Sequence, residues 1–313
     1  MRNRTRLATR LIVVATILAG AAFYYARNPE REALDDAARA GAPGKFVHLA
    51  DGVTHYEMTG AADARTVVLI HGFSVPYYIW DSTAAALATH GFRVVRLDLF
   101  GRGWSDRPDV EYDASLFDRQ VTGLLDSLRI AGPVDVMGLS MGGMVAANFA
   151  ARHPERTRTL TLIDPAAAHS STPLMIRVPL VGTYIFQTMA VPTMADGQFG
   201  DFAEPKRFPD WADKYRPQMR YRGFGRALRS TGINSARVDP DSLYSSVGKL
   251  TMPVLLIWGK LDTTVPFDLS ANVRRDIPRA EFHPIEHAAH LPNVERASEV
   301  NPIILAFLQR QGA

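Results

Sequence analysis

The chain has 313 residues, enough for a large domain with a sizeable core, and its 47% hydrophobic and 21% charged residues exclude a disordered or collagen-like chain. The 35 basic and 32 acidic side chains give a net charge of +3, and six arginines fall within residues 1–31, where Glu30 is the one acid. The rest of the chain therefore has no basic excess, which argues against nucleic acid as a partner. The absence of cysteine excludes disulfides, a thiolate nucleophile and cysteine-ligated metal sites.

The amino terminus carries an uncharged, apolar run over residues 11–26. Four arginines precede this run, so the positive-inside rule places them in the cytoplasm and the rest of the chain across the membrane. The run is shorter than a full span of about 20 residues, and residues 19–21 (Ala-Gly-Ala) are compatible with signal cleavage. We favour a retained membrane anchor over residues 1–27, because the aromatic residues 23–25 suit the membrane interface. A secreted or periplasmic protein released by cleavage is the alternative.

Residues 28–44 are charged, rich in alanine and end in glycine and proline, which predicts an exposed tether. From residue 45 onward, short apolar runs alternate with helical patterns. This alternation predicts an α/β fold with a mostly parallel sheet covered by helices on both faces. The predicted strands cover residues 45–50, 53–58, 66–71, 92–98, 133–140, 159–164, 252–259 and 280–285, and the predicted helices cover residues 80–89, 116–130, 141–153, 269–277 and 299–310.

The alternation of strands and helices fails over residues 169–249. A segment of this length is too long for a loop in a compact domain, so we expect a cap or lid inserted between two parts of the core, residues 45–168 and 250–313. The first part of the insert, residues 173–192, is apolar. It is suited equally to a buried core and to a surface that faces substrate.

A candidate nucleophile lies where a predicted strand meets a predicted helix. Residues 138–142 read Gly-Leu-Ser-Met-Gly, which fits G-x-S-x-G in the context that this motif requires. The flanking glycines permit a tight turn that strains the serine and exposes its hydroxyl, and the helix amino terminus favours negative charge nearby. We therefore expect Ser140 to be a nucleophile, with the backbone N–H of Met141 as an oxyanion donor.

A serine hydroxyl needs a general base, which in turn needs an orienting acid, and both are expected to follow the serine in this architecture. Asp262 follows the strand predicted at residues 252–259, at the carboxyl edge where open α/β sheets place their sites. Asp164 is the second choice for the acid. Among the later histidines, His290 lies in the loop before the last helix, whereas His283 falls within a predicted strand.

These motifs resemble those of the α/β-hydrolase superfamily, in particular its capped lipase/esterase-like members. The resemblance covers about residues 45–313 and rests on five motifs, which are His71-Gly72-Phe73-Ser74, residues 98–105 (DLFGRGWS), residues 138–143, residues 258–262 (WGKLD), and His290-Leu291-Pro292 with Glu295. It implies that His290 is the base, since the family's histidine commonly precedes x-Pro-x-x-Glu. It further implies that the backbone N–H of Phe73 is the second oxyanion donor, and that no metal or cofactor takes part. Asp98 is expected to brace the loop of His71 by hydrogen bonding.

The predicted function is hydrolysis of carboxylic esters through an acyl-enzyme on Ser140, with a small-molecule ester carrying an apolar acyl group as substrate. One alternative is carbon–carbon bond hydrolysis of ring-cleavage products, which uses a similar triad. A non-catalytic binding module on the same fold is the alternative from another class. Residues 283–287 also spell the zinc-protease motif H-x-x-E-H, but Pro284 after a β-rich run favours a strand end. The sequence carries no signal for the oligomeric state.

Overall fold

The computed structural model describes residues 2–169 and 171–311. Its strands are β1 (Lys45–Leu49), β2 (Gly52–Thr59), β3 (Thr66–Ile70), β4 (Arg93–Leu97), β5 (Val134–Leu139), β6 (Thr157–Ile163), β7 (Val254–Gly259) and β8 (Glu281–Ile285). In the described part of the chain these eight strands form one sheet in the order β1-β2-β4-β3-β5-β6-β7-β8. The β1–β2 and β2–β4 pairs are antiparallel and the other pairs are parallel, which confirms the predicted α/β fold.

The helices are α1 (Arg2–Arg27), α2 (Asp36–Arg39), α3 (Asp81–Thr89), α4 (Ala114–Ser127), α5 (Met141–Arg152), α6 (Leu174–Arg177), α7 (Pro179–Ile185), α8 (Met194–Gly197), α9 (Trp211–Met219), α10 (Phe224–Ser235), α11 (Pro240–Gly248), α12 (Ser270–Asp276), α13 (Pro292–Glu295) and α14 (Ala297–Arg310). Helix α4 differs most from its predicted bounds, for a local reason. Asp113 accepts a hydrogen bond from the N–H of Leu116, so the helix begins early, and the positive φ of Arg129 ends it before Ile130.

The sheet is apolar on both faces, as expected for parallel strands covered by helices. Along β3, Val68 and Ile70 belong to one hydrophobic cluster and Val67 and Leu69 belong to the other. The first cluster includes side chains of α4, α5, α11 and α12, and the second includes side chains of α3 and α14. The two clusters fix the sheet between helical layers, so its carboxyl edge is held in place for the site.

The cap segment, by which we mean residues 169–249, contacts the loops at this carboxyl edge. Gln218 of α9 donates a hydrogen bond to the carbonyl of Ser74 at 3.0 Å and accepts one from the N–H of Gly103 at 2.9 Å. Both partners belong to loops that carry the motifs identified in the sequence. The cap segment is thus joined by buried hydrogen bonds to the loops that surround the candidate nucleophile.

Helix α1 extends the apolar run of the sequence into 26 helical residues. The part from Arg4 to Arg27 is long and apolar enough to cross a membrane, and its side chains are not buried in the protein. A signal sequence passes the same test, so the helix by itself does not separate an anchor from a cleaved leader.

Most of residues 28–44 are exposed, but the segment is attached to the rest of the chain at several points. The carboxylate of Glu30 accepts hydrogen bonds from the N–H groups of Gly223 and Gly225, at 2.6 and 2.7 Å, and from the side-chain amide of Gln187 at 2.7 Å. Helix α10 begins beside these glycines, and the unpaired N–H groups of a helix start attract a carboxylate. Further along, Arg39 is 7% exposed. The segment is therefore fastened to the cap segment and to the core.

Replacing Glu30 by glutamine tests this attachment. The amide leaves at least one of the three donors without a charged acceptor, and hydrogen bonds to charged groups contribute about 2 kcal/mol each. We expect Glu30→Gln to lower the free energy of unfolding by about this amount and to speed hydrogen exchange at residues 223–225. The matched control is Glu32→Gln, since that side chain is exposed and pairs with Arg220 at 3.3 Å. Equal urea midpoints for the two full-length variants in mild detergent would refute the attachment.

Candidate active site

Ser140 lies in a strained turn between β5 and α5. Its backbone has φ 55° and ψ −123°, a conformation that residues other than glycine rarely adopt. The flanking glycines are needed because backbones meet here without room for side chains. A Cβ on Gly138 would lie 2.1 Å from the carbonyl oxygen of Gly142, and a Cβ on Gly142 would lie 2.3 Å from that of Ile70. The turn therefore places the serine on the carboxyl edge of the sheet.

Ser140 opens into a cavity of about 360 Å³ between the core and the cap segment. Phe73 and Met141, the two predicted oxyanion donors, line the same cavity. Among the described residues, neither backbone N–H donates to a protein acceptor, so both are available to an oxygen atom of a substrate. The remaining lining residues are Met144, Ala166, Ala168, Ser171, Thr172, Pro173, Ile176, Phe186, Leu228, Arg229, Gly232 and Ser235.

The predicted base and acid form a buried pair. The Nδ1–H of His290 donates to Oδ2 of Asp262 at 2.8 Å, and the two side chains are 5% and 0% exposed. The other carboxylate oxygen, Oδ1, accepts the N–H groups of Thr264 and Val265 at 2.8 and 2.9 Å. The pair fixes the imidazole tautomer, so Nε2 is left with a lone pair that can accept a proton.

The structure brings Asp262 and His290 together, but His290 is not hydrogen bonded to the serine. Within the described part of the chain, Ser140 Oγ and His290 Nε2 are not hydrogen bonded. Such contacts are often long before substrate binds and shorten in the complex, so the arrangement is compatible with general base catalysis. The backbone of Ser140 is nevertheless fixed, since its carbonyl accepts the N–H groups of Gly143 and Ala166.

The cap segment contributes to the position of His290 in a way that no motif predicts. The backbone N–H of His290 donates to the carbonyl of Asp201 at 3.1 Å. The Asp201 carboxylate accepts the hydroxyl of Thr264 at 2.6 Å, and burial raises its pKa even though His290 lies nearby. Glu295, from the last motif, accepts two N–H groups at 2.7 Å. One belongs to Ala289 in the loop of His290, and the other belongs to Ala203 in the cap segment. The histidine loop and the cap segment are therefore locked to each other.

Asp164, the second choice for the acid, lies behind the pair. It is fully buried, its φ is 39°, and its Oδ1 accepts the N–H of Gly259 at 2.9 Å. Together with Asp262 and His290 it brings three possible metal ligands within 4.8 Å of one another. Burial, and then the neighbouring Asp262 carboxylate, raise the pKa of Asp164 well above its usual range. Both causes favour the protonated form of Asp164, whereas Asp262 is the carboxylate that accepts the imidazole N–H.

Asp98 braces the loop that follows β3 and carries His71 and Phe73. The Asp98 carboxylate accepts the N–H of Tyr77 in this loop at 2.9 Å, and it also accepts the Nδ1–H of His55 at 2.8 Å and the N–H of Trp104 at 2.9 Å. Burial lowers the pKa of His55, but the Asp98 carboxylate and then the carbonyl of Pro43 act in the opposite direction, and the net pKa is raised. In the described chain Asp98 is not hydrogen bonded to His71 itself, so the bracing runs through the backbone of the loop.

His71 is held by the backbone instead. Its Nδ1–H donates to the carbonyl of Gly72 at 2.8 Å, and its Nε2 accepts the N–H of Leu99 at 2.9 Å. This pattern requires the neutral ring, because a protonated Nε2 would face a second donor. Burial lowers the pKa of His71 to about 4, which agrees with the hydrogen bonds.

The residues of the H-x-x-E-H motif do not have the geometry of a zinc protease. His283 lies on β8, where it pairs with Glu281 at 2.9 Å, and His287 follows the end of that strand. The motif requires both histidines on one face of a helix. A second group of possible metal ligands is partly exposed on the surface of the described chain and consists of His169, Asp239 and Asp241.

Because His71 is neutral in the folded protein, the free energy of unfolding decreases as the pH falls. Between pH 6.5 and pH 4 the unfolded chain binds a proton at this ring and the native chain does not. Stability from this group is therefore complete above pH 6.5 and falls on acidification by up to about 1.4 kcal/mol per pH unit. We expect His71→Gln to reduce stability at pH 7 and to flatten this part of the profile. His48→Gln, at an exposed position, is the control, and a variant slope equal to that of the wild type would contradict the assignment.

The two buried aspartates should differ sharply when each is changed to asparagine. Asp262→Asn removes the acceptor for the Nδ1–H of His290 and favours the wrong tautomer, which costs about four orders of magnitude in related triads. Asp164→Asn keeps the shape of a side chain that is not hydrogen bonded to the imidazole, so we expect a loss below about tenfold. Steady-state kinetics with an activated ester measures both values. The reverse order would assign the orienting role to Asp164.

Comparisons with known proteins agree with this fold. A family model described as the alpha/beta hydrolase family matches residues 67–303. A 2-hydroxy-6-oxononadienedioate/2-hydroxy-6-oxononatrienedioate hydrolase of Paraburkholderia xenovorans is 28% identical, over 84% of this chain and 94% of that protein. A hydrolase of the same name from Cupriavidus pinatubonensis is also 28% identical, with the same shares covered. The crystal structure of an enol-lactonase from Burkholderia xenovorans is 25% identical, with a TM-score of 0.74, and covers 85% of this chain and 100% of that one. The chain therefore belongs to the alpha/beta hydrolase family.

Proposed function

We propose that the chain is a serine hydrolase in which the Oγ of Ser140 attacks a carbonyl carbon of a small molecule. His290 takes the proton of the hydroxyl, and Asp262 holds the imidazole in the required tautomer. The N–H groups of Phe73 and Met141 stabilise the oxygen anion that forms. The protonated His290 gives this proton to the leaving group, and water then releases the acyl group with His290 acting as base for the second time. The observation that carries this proposal is the shared cavity of Ser140 and both free N–H donors, beside a buried His–Asp pair.

For the bond that is cleaved, the comparisons favour a carbon–carbon bond over the ester expected from the sequence. The two curated relatives reported above act, by name, on 2-hydroxy-6-oxo dienoic acids, and this chain covers 94% of each. In such a compound, transfer of the 2-hydroxyl proton to carbon 5 first gives the 2-oxo tautomer, and addition of Ser140 to the 6-oxo carbon then makes an adduct. When the bond between carbons 5 and 6 breaks, its electron pair passes through the double bond between carbons 3 and 4 to the 2-oxo oxygen. That oxygen takes up a proton to give the 2-hydroxydienoate, and carbon 6 remains on the serine as the acyl group.

The cavity itself favours a substrate with an apolar substituent. Its lining is mainly apolar, and its charged residue is Arg229. The guanidinium of Arg229 is already engaged, with Nε donating to the carbonyl of Ile176 at 2.8 Å and a terminal nitrogen shared by the carbonyls of Arg177 and Val178. A compound with two carboxylates would meet little compensating charge there. We therefore expect a ring-cleavage product with an apolar group on its keto carbon.

Ester hydrolysis is the second candidate, and one comparison favours it specifically. The enol-lactonase is, by its name, an enzyme that opens an ester bond, and its fold matches this chain with a TM-score of 0.74. An ester needs the same nucleophile, base and oxyanion donors, and it does not need the electron-accepting leaving group. An apolar acyl ester would fit the lining as well as an apolar dienoate.

We further propose that helix α1 is retained as a membrane anchor with the hydrolase across the membrane from the basic terminus. The proposal is supported by the length and exposure of residues 4–27 and by the arginines before the apolar run. Glu30 also supports it, because the attachment of the following segment to the cap segment makes the leader part of the folded protein.

The class of bond that is cleaved is tested by comparing two substrates in separate assays. The full-length protein is given a 2-hydroxy-6-oxohexadienoate with phenyl on carbon 6 in one assay and p-nitrophenyl acetate in the other. We expect kcat/KM for the dienoate to be at least tenfold higher, and Ser140→Ala to lower kcat by about a million-fold. Ser235→Ala, another hydroxyl in the cavity lining, is the matched control and should stay within a few-fold. Turnover of the ester alone would replace the carbon–carbon assignment, and substantial activity in Ser140→Ala would overturn both.

A further inference from the structure

The first two helices of the cap segment expose large apolar side chains to solvent. Leu180 is 87% exposed and Leu174 is 77% exposed, values far above those of ordinary core-facing residues. We call this set the apolar ridge, and it consists of Leu174, Met175, Val178, Leu180, Val181 and Met189. Residues 173–192 contain one charge, Arg177, and no acid. A contiguous apolar surface of this kind marks an interaction site.

Helix α1, which we call the leader, lies directly beside the ridge. The hydroxyl of Tyr184 donates to the carbonyl of Gly20 at 3.0 Å, and the rings of Tyr184 and Tyr24 stack with centroids 5.8 Å apart. Four residues later, the carbonyl of Thr188 accepts the Nε of Arg27 at 3.1 Å. The contacts advance in the same direction along both segments, so the segments run parallel. Leu180 lies in helix α7, one turn before Tyr184. It is therefore level with the apolar middle of helix α1.

The contact between leader and cap segment is fixed rather than loose. Asn28 and Glu30, which follow the leader, both accept hydrogen bonds from the side-chain amide of Gln187, at 2.7 Å. Gln187 is buried and lies between the residues that touch the leader. Because this attachment follows directly on helix α1, a leader inserted in a membrane holds the ridge at the same membrane surface.

The same helices form a wall of the candidate active site. Pro173, Ile176 and Phe186 line the cavity of Ser140, while their neighbours Leu174 and Met175 face solvent. One face of this segment therefore borders the cavity, and the other carries the ridge. If the ridge entered a bilayer, a molecule dissolved in the membrane would therefore meet the wall of this cavity.

We propose that the apolar ridge docks on the lipid bilayer and that the substrate reaches Ser140 from the lipid phase. The substrate class is an apolar carbonyl compound partitioned into the membrane, which rests on the proposed function at Ser140. The docking itself follows from the ridge, the leader contacts and the attachment through Gln187. The charge pattern suits this occupant, since residues 173–192 contain no acid and Arg27 lies at the end of the apolar run of helix α1, where an anionic headgroup layer would meet it.

Site-specific fluorescence tests the docking in the intact protein. The chain has no cysteine, so Leu180→Cys gives one labelling site for an environment-sensitive NBD dye. Asp63→Cys is the control, because Asp63 is exposed at the amino edge of the sheet, opposite Ser140. Both full-length proteins are reconstituted into vesicles of phosphatidylcholine and phosphatidylglycerol at 3:1. We expect a blue shift and at least twofold quenching by nitroxide lipids at position 180 and neither at position 63.

Equal spectra and quenching at the two positions would overturn the proposal. A blue shift at position 180 that grows with protein density and is insensitive to nitroxide lipids would also overturn it, because a second copy of the chain would then cover the ridge.

The route of the substrate is tested with two alkyl fluorophosphonates, which react with an activated serine whichever bond the enzyme cleaves. We expect Leu180→Asp to slow labelling by a hexadecyl probe dissolved in vesicles at least tenfold and to leave labelling by an ethyl probe in solution unchanged. Val110→Asp, an exposed apolar position outside the ridge, is the matched control. Equal slowing of both probes would overturn lipid entry. Failure of both probes with the wild type would refute the proposed function, while the quenching result would still decide the docking.

Discussion

The close approach of three backbone segments at the nucleophile turn is the constraint on which the candidate site depends. Gly142 faces the carbonyls of Ile70 and His71, and Gly138 faces the carbonyl of Gly142, without room for a Cβ at either glycine. This packing over-determines the positive φ of Ser140, which would otherwise relax. The strain is tolerable because β3, β5 and β6 are buried and paired in register around the turn. The rest of the site is arranged around that fixed point.

The cap segment holds the loops on both sides of the candidate active site. Its Asp201 and the backbone near Ala203 hold the histidine loop, while Gln218 holds the loops on the other side of the cavity. A displacement of the cap segment would therefore move the base relative to Ser140. The same segment is joined through Gln187 to Asn28 and Glu30, directly after helix α1, so the position of this helix and that of the His290 loop are connected through the cap segment.

The parts of the structure that were predictable from the sequence are those set by local pattern. The strand, turn and helix around Ser140 follow from glycines at fixed offsets, and the strand–helix alternation follows from periodicity. The placement of Glu30 was not predictable, because the N–H groups that it binds lie 193 and 195 residues away along the chain. The surrounding segment, residues 28–44, has the composition of a linker. Asp201 belongs to no motif, and only tertiary packing brings it to His290. The partners of Asp98 also depend on tertiary packing, since His55 comes from the antiparallel edge of the sheet.

Labelling with an alkyl fluorophosphonate followed by peptide mass spectrometry identifies the nucleophile, since the reagent forms a covalent bond only with an activated serine. We expect one stoichiometric adduct on the peptide that contains Ser140, lost in Ser140→Ala and formed far more slowly in His290→Ala. An adduct on another serine would contradict the assignment of Ser140 as the nucleophile. So would an unlabelled full-length protein under conditions in which trypsin is fully labelled.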